Sequence, residues 1–575
     1  MWFNFAMRKR LLTISYPFLT LLLSACEFTL PSLNLSSISS SLTSHPTSLS
    51  TSTLTSMNPE EAIDFATPPP VPNLQLPAGV CEPTSTPRVS ENTPEEFTLF
   101  FHPTTQVMID FSMTNANLRL MNQYGNRTED HDRYVPASIR IDVLPANGTT
   151  ISYCYPTVGI RMKGNTSRLD FIEESGAFKN FVNLKVSFSS DDPMEPRNPN
   201  QQFLGMTRMD LKWNRNFDHT YVRQVFTHKL YQHYLPFAQE ATLGGVRFLQ
   251  SGVSEEHQDN YLGVYTIIEP MDRRFFARRL GDGPEADGNL YKVLYSPTGA
   301  ADFTKFNAIE SDGTTHRKVG NKIGVENNQT NYHPSYDLKT NTANATFMDI
   351  VNLIGELNAS QNPNDASYRN RVEAVLDLSS FLMMEAIAYF VGNPDDYRNN
   401  ANNLYVYFLP STGKAYFIPY DLDRGFGSNG DWDPTDEPFG QYGPSMTKAT
   451  PYQTALLKDW NQGRLNPLHK LTIYEGAYAA YRTQYTANLN LIYRSDWLGS
   501  TALGNSNYTG TFYRLHQTYR SNYYPQSGAF GFLRPTAPAL TDIFVPFSLN
   551  QKTLENLTYH EYISAKINTY LEAIS

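Results

Sequence analysis

From about residue 97 onward, apolar and polar positions alternate in the manner of half-buried strands. Phe97–Met113 and Ala137–Leu144 read as strand-containing segments, with Asn147-Gly148 as a turn. Thr157–Met162, Phe181–Phe188 and Met209–Trp213 are further strands by the same pattern. In Phe181–Phe188, Val182, Leu184, Val186 and Phe188 share one face, which leaves Lys185 on the other. Tyr221–Tyr234 has helical spacing, with Asp218 or Thr220 as N-cap and Pro236 beyond its end. Gly245–Leu249 and Tyr261–Glu269 predict a strand pair joined by a polar loop.

The second half changes period. Met348–Leu357 is amphipathic, and Phe381–Val391 is an apolar helix with Ser379 or Ser380 as cap and Gly392 as stop. Leu404–Phe408 and Ala415–Pro419 predict a hairpin around Ser411-Thr412-Gly413. From roughly residue 440 the chain is Tyr-rich, and helices are expected there. A β-rich first half (96–330) and a helical second half (331–575, with the Tyr-rich stretch as an extension) predict an α+β fold with a cleft between lobes.

Composition narrows the class. With 575 residues, 40% hydrophobic, 13% aromatic and 18% charged, the chain can bury a large core. It is not wholly disordered, collagen-like or a multi-span membrane protein. The net charge of −10 argues against a nucleic-acid partner, for which a basic domain is expected.

The N-terminus sets the expected compartment. Arg8, Lys9 and Arg10 precede a short apolar run that ends in Leu23-Ser24-Ala25-Cys26. Residues 1–25 thus have the form of a secretory signal, and the run is too short for a spanning helix. Leu-Ser-Ala-Cys resembles a bacterial lipobox. That resemblance implies an exported, membrane-anchored lipoprotein of the cell envelope with lipid on Cys26. Residues 26–95 are expected to be a disordered tether, since 31–56 hold 16 Ser or Thr and too little apolar area to offset ordering entropy. In an oxidising compartment Cys81 and Cys154 could form a bridge.

The densest polar cluster runs from Gly392 to Asn403, between an apolar helix and the hairpin. Beyond the hairpin, Phe417-Ile418-Pro419-Tyr420-Asp421-Leu422-Asp423 is an apolar strand that ends in two carboxylates. Hard oxygen ligands there suit Mg²⁺. An Asp, an Asn five residues on and a later Asp follow the order of a phosphoryl-transfer site. A loop of turn formers reads the same way, as does Ca²⁺ held by Asp421, Asp423, Asp431, Asp433 and Asp436, although EF-hand spacing fails at Gly425. In the first half, Arg161 to Arg168 surrounds a glycine with basic and hydroxyl groups and includes Lys163 and Asn165, and the backbone N–H groups of this loop could approach an anion. Lys179 and Lys185 could reach phosphates, and Arg223 could pair with an acid across the cleft. Glu269 could serve as partner to a lysine.

Taken in order, these segments resemble the CotH family, spore-coat-type protein kinases with an atypical kinase-like fold. The resemblance is carried by Arg161-Met162-Lys163-Gly164-Asn165-Thr166-Ser167, Phe178 to Phe188, Leu211 to Arg223 and Gly263-Val264-Tyr265 to Glu269. Gly288 to Lys292, Tyr336 to Thr340, Gly392 to Tyr405 and Ile418 to Asp423 complete it. It implies a two-lobed, kinase-like fold and phosphoryl transfer from ATP with Mg²⁺ to Ser/Thr of an exported or surface protein. By the same resemblance Asp395 is the catalytic Asp, with Asp396 as its neighbour and alternative. Asn400 and Asp421 are metal ligands, with Asn403 and Asp423 as second candidates. Lys179 or Lys185 faces phosphate, and Glu269 and Arg223 are supporting charges. Departures are Asn180 in place of the second lysine of a Lys-Lys pair, Pro394, and Tyr420 where Trp is frequent. A non-catalytic surface adhesin or assembly protein is the alternative, suggested by the tether and by Tyr-rich helices that could expose aromatics to a partner.

Overall fold

In the computed structural model seven strands of the first half close into a barrel. They are β1 (Gln106–Thr114), β2 (Val135–Leu144), β3 (Ile151–Lys163), β4 (Asn183–Ser187), β5 (Arg208–Trp213), β6 (Ala241–Ser251) and β7 (Asp259–Ile268). Their order around the barrel is β1-β2-β3-β4-β5-β7-β6, and a parallel pairing of β6 with β1 closes it. The structure describes residues 94–126, 132–164, 168–189, 200–216, 218–304, 310–311, 317–318, 322–328, 330–360, 362, 364–428, 467–468, 471–472, 479–498, 510–523 and 558–575. All fall in the unit Leu54–Ser575. The expected signal, Cys26, Cys81, the tether up to residue 93, Asn165 and the acids at 431, 433 and 436 lie outside them. Cys154 is disulfide-bonded, with its partner sulfur also outside.

Period-two alternation dictates what each barrel strand buries. Ile160 and Met162 of β3, Leu184 and Val186 of β4, Met209 and Leu211 of β5 and Ile267 of β7 all point into one apolar core. Each such side chain contributes about 1.5–3 kcal/mol by leaving water. The intervening residues point outward: Arg161, Lys163, Lys185, Asp210 and Lys212. All are charged, so the outer face of three adjacent strands needs a polar partner.

A second sheet supplies it. Its strands are β8 (Leu290–Val293), β11 (Ile323–Gly324), β12 (Tyr336–Leu338), β13 (Leu404–Phe408) and β14 (Ala415–Pro419), in the order β11-β12-β8-β13-β14. A two-stranded ribbon of β9 (Glu310–Ser311) and β10 (Arg317–Lys318) lies between β8 and β11 in sequence. One face of the five-stranded sheet, with Tyr291, Tyr336, Val406 and Phe417, enters the largest core.

The helices are α1 (Pro94–Phe101), α2 (Asn115–Gly125), α3 (Arg223–Tyr234), α4 (Arg273–Leu280), α5 (Met348–Leu357), α6 (Ala366–Val375), α7 (Leu378–Val391), α8 (Tyr397–Asn400), α9 (Ala479–Arg494), α10 (Thr511–Tyr523) and α11 (Tyr559–Ile574). In α7, Phe381, Leu382 and every residue from Met384 to Val391 are buried, because sheet, α3, α9 and α11 surround the helix.

The fold is α+β with a β-rich first half, as expected. Several local expectations are corrected. The first segment opens as helix α1 before β1 begins, because Pro94 and two glutamates favour a helix start. The cap of α7 is Asp377, whose side chain accepts from the Ser380 N–H, and not Ser379 or Ser380. At α3 the N-cap residue is Val222, and Asp218 reaches forward to accept from the Arg223 N–H at 3.0 Å. The described Tyr-rich helices pack into the core: Tyr481, Tyr485, Tyr519, Tyr523, Tyr559, Tyr562 and Tyr570 are buried. Among the described residues no helix is long and apolar enough to cross a membrane.

Gly288, two residues before β8, packs closely against the end of β13. A Cβ there would collide with the Phe408 carbonyl oxygen and lie 2.6 Å from the Tyr407 ring. Gly288→Ala is expected to destabilise the protein by about 1–3 kcal/mol through overpacking, read as a lower denaturation midpoint. An unchanged midpoint would show that these strands can separate without cost.

Candidate functional site

The outward residues of the barrel line up in rows. Arg161 lies opposite Lys185, and Lys185 opposite Asp210. Lys163 ion-pairs with Asp210 at 2.5 Å, and Lys185 stands 4.0 Å from the same carboxylate. Two residues along β5, Lys212 crosses to the end of β14. There its ammonium ion-pairs with Asp421 and, at 2.8 Å, with Asp423. Lys212 is buried, but the Asp421 side chain is 36% exposed, so its carboxylate can be reached from outside.

The second sheet aims the acids. Its β13–β14 hairpin is held in register with Leu404 opposite Pro419, so residues 402–403 and 420–421 emerge together at its open end. Asn403 (φ 55°) and Asp421 (φ 60°) are both left-handed, a conformation in which asparagine is tolerated and strain is stored at functional positions. The Tyr420 N–H donates to the Asn403 carbonyl at 3.1 Å and closes the pair. The loop after α7 is tied to both: Asn403 Nδ2 donates to the Asp395 carbonyl at 2.7 Å, and Asn393 Nδ2 to the Asp421 carbonyl at 3.3 Å. Asn402 Nδ2 donates to Asp395 Oδ1 at 3.0 Å.

Tyr420 lies in the field of Asp421, Lys212, Asp395 and Asp210, and burial foremost pushes its hydroxyl far up. Lys292 sits over its ring at 5.1 Å and is paired in register with Asp337 on one side and Tyr405 on the other. Thus Lys163, Lys212 and Lys292 all act on Asp421. Its carboxyl is raised by burial, but the lysines outweigh this and hold it below the usual range. Asp423 goes the other way, because burial and the Asp421 charge outweigh Lys212. Burial also opposes the charge on Lys212, and the two carboxylates more than offset it. For Asp210, burial is outweighed by Lys163 and Lys185, which hold its pKa down to about 2. Lys185 is pulled down to about 7 by burial, with Arg161, Lys163 and Arg208 adding to the fall and Asp210 resisting it.

The structure therefore brings Lys163, Lys185, Asp395, Asn403, Asp421 and Asp423 to one place. It does not bring the others. Lys179 is half exposed and pairs with Asp170 at 3.5 Å. Arg223 is buried beside Asp218 at 3.2 Å and donates to the Phe426 carbonyl. Glu269 is fully buried between Arg278 (2.5 Å) and Arg279 (2.8 Å), which fill the place that a cleft lysine would need. Asp396 is buried and acts on Tyr231 and Tyr562 of the helical core. Asn400 is in α8, and its side chain lies outside the described residues.

Asp210, Lys212 and Lys292 were not singled out by sequence reasoning. The signal was present in Met-Asp-Leu-Lys-Trp: two opposite charges on the polar face of a strand whose other face is core. Among the described residues no three His, Cys, Asp or Glu side chains gather as a metal cluster. Two carboxylates converging on one cationic point do fit Mg²⁺, which takes one or two carboxylates and fills its shell with water and phosphate oxygens.

The model of one protein family, described as CotH kinase protein, matches residues 160–490, more than half of the chain. No curated protein matches it.

Two outcomes follow from the charges. Glu269→Gln removes the buried charge that two half-buried guanidinium groups share and is expected to cost about 3–5 kcal/mol in chemical denaturation. A cost below about 1 kcal/mol, the range of an exposed pair, would refute its structural role. Lys185 binds its proton more weakly folded (about 7) than its ordinary value of 10.5. The unfolded chain thus holds more protons between those values, and stability should rise as pH climbs above about 7. Urea titrations at pH 7 and 9 should show the rise in the native protein and its loss in Lys185→Met.

Proposed function

The chain belongs to the CotH kinase family, and we propose that the cluster around Asp421 is a centre for Mg²⁺-ATP-dependent phosphoryl transfer to Ser or Thr of exported or surface proteins. The observation that carries this reading is the convergence of Asp421 and Asp423 on one ammonium, with Asp395 tied to the same hairpin end. In this reading the barrel stands as the first lobe and the helical region as the second, and lipid on Cys26 holds the protein at the cell envelope.

Asp421 and Asp423 would hold the metal, sharing their charge with Lys212. A bound magnesium nucleotide supplies the transferable phosphoryl group and neutralises charge that builds on it. Lys163, Lys185 and Lys292 set three further ammonium groups around the carboxylates, where phosphate oxygens would meet them in a site of low dielectric. Asp395 takes the proton of the substrate hydroxyl as its oxygen bonds to phosphorus. The nucleoside diphosphate leaves with the electron pair of the broken bond. The Asp210 carboxylate keeps Lys163 and Lys185 in position until an anion competes for them.

The adhesin alternative loses support, because it called for exposed aromatics on the Tyr-rich helices and the described tyrosines named above are core.

Purified protein incubated with Mg²⁺ and labelled ATP should incorporate phosphate. Asp395→Ala should reduce the rate by about 10²–10⁴-fold, the usual worth of a positioned acid–base group. Asp421→Ala should abolish metal-dependent nucleotide binding as well. Incorporation that survives both substitutions, or a folded protein that binds no nucleotide, would overturn the proposal.

A further inference from the structure

We propose that Asn402 is the positioning residue for Asp395, and that its two-ended amide sets the direction in which the carboxylate is presented to the substrate hydroxyl. This rests on the reading of the site as a phosphotransfer centre.

Val293 of β8 lies directly opposite Leu404 of β13 in an antiparallel pair. Carried two residues further, the same register sets Tyr295 opposite Asn402. The ladder does not continue there, because Ala401 (φ 46°) and Asn403 (φ 55°) turn the backbone left-handed on either side of Asn402. The side chain takes over instead. Asn402 Oδ1 accepts the Tyr295 N–H at 3.1 Å, the donor that the strand's own carbonyl would have satisfied. Nδ2 is thereby turned to the opposite side, where it donates to Asp395 Oδ1 at 3.0 Å. Only one orientation of the amide meets both partners, since a backbone N–H can only donate and an ionised carboxylate can only accept.

Neighbouring asparagines hold the backbone of Asp395 rather than its side chain. Its N–H donates to Asn393 Oδ1 at 3.0 Å, and its carbonyl accepts from Asn403 Nδ2 at 2.7 Å. Asn402 adds a fixed rotation of the carboxylate about its own axis, and so fixes where Oδ2 points. The second sheet's edge, through Tyr295, thus dictates the aim of a group on the loop after α7.

Asn402→Asp separates the two bonds. It keeps an oxygen for the Tyr295 N–H but replaces the donor toward Asp395 with an acceptor. The expected result is a kcat lower by about 10–100-fold, the scale of a misaimed group, with the KM for ATP within about twofold of wild type. Calorimetric binding of Mg²⁺-ATP should stay near wild type, while the denaturation midpoint of Asn402→Asp should fall, because a second carboxylate then stands against that of Asp395. Asn402→Ala, which loses both bonds, should show the same kcat defect. Wild-type kcat in Asn402→Asp beside an inactive Asp395→Ala would overturn the assignment alone. A defect that follows weaker nucleotide binding would make Asn402 a structural tie and also overturn it. An Asp395→Ala protein as fast as wild type would overturn the reading of the site, and this assignment with it.

Discussion

The Lys212 ammonium joins the barrel to the second sheet at the point where the chemistry is proposed. Its partners Asp421 and Asp423 are more than 200 residues away in sequence, so the bond is a purely tertiary one. A buried ammonium is costly alone, and two carboxylates crowded together are costly alone. Each offsets the other's penalty, and removal of the two carboxylates would leave the buried ammonium uncompensated. The left-handed backbone of Asp421 depends on the same bond, because a non-glycine residue keeps that conformation only where its surroundings over-determine it. The bond to Lys212 from one side and the Asn393 amide from the other do so.

Around that bond the charges are close to balanced. Lys163, Lys185, Lys212 and Asp210 of the barrel meet Lys292, Asp395, Asp421 and Asp423 of the second sheet and the loop after α7. Such a site resists collapse onto one sign. Under the proposed function, a divalent cation on its acids and a polyphosphate on its lysines would each replace an internal partner of the other. Asp210 matters most to this exchange, since it neutralises the lysines that an anion would claim.

How much of this could be read from the sequence depended on whether the signal was local. The strands β4, β5, β13 and β14 and helix α5 emerged within a residue or two of their observed limits, because one-sided burial writes its period into consecutive residues. Asp421, Asp423 and Asp395 stood out as a polar loop and a strand terminus, features again confined to short segments. Barrel closure did not, since the parallel β6–β1 seam joins residues 137 positions apart and leaves no mark in either segment. Nor did the roles of Lys179, Lys185 and Glu269 separate. All three are charges on or beside strands, and only tertiary packing sends Lys185 into the cluster, Lys179 to Asp170 and Glu269 to a pair of arginines on α4. Tyrosines misled for a related reason: an amphipathic ring can serve an interface or a core, and composition does not say which.

The tyrosines show why the site can be stiff. Tyr523 of α10 accepts from the Val107 N–H and donates to the Leu243 carbonyl, both at 2.7 Å, and so bridges β1 and β6 just before their parallel pairing begins. Tyr389 of α7 donates to the Lys566 carbonyl of α11, and Tyr485 of α9 accepts from Arg398 beside the proposed base's loop. Each of these three rings fills core volume, and its hydroxyl meets polar groups that would otherwise be buried unpaired. The last helices are therefore a brace from the barrel seam to the loop that carries Asp395. Catalytic groups must be held within fractions of an ångström by residues that do not touch substrate. In this chain that burden falls on the C-terminal aromatics, which makes the helical end a requirement of the site rather than an appendage to it.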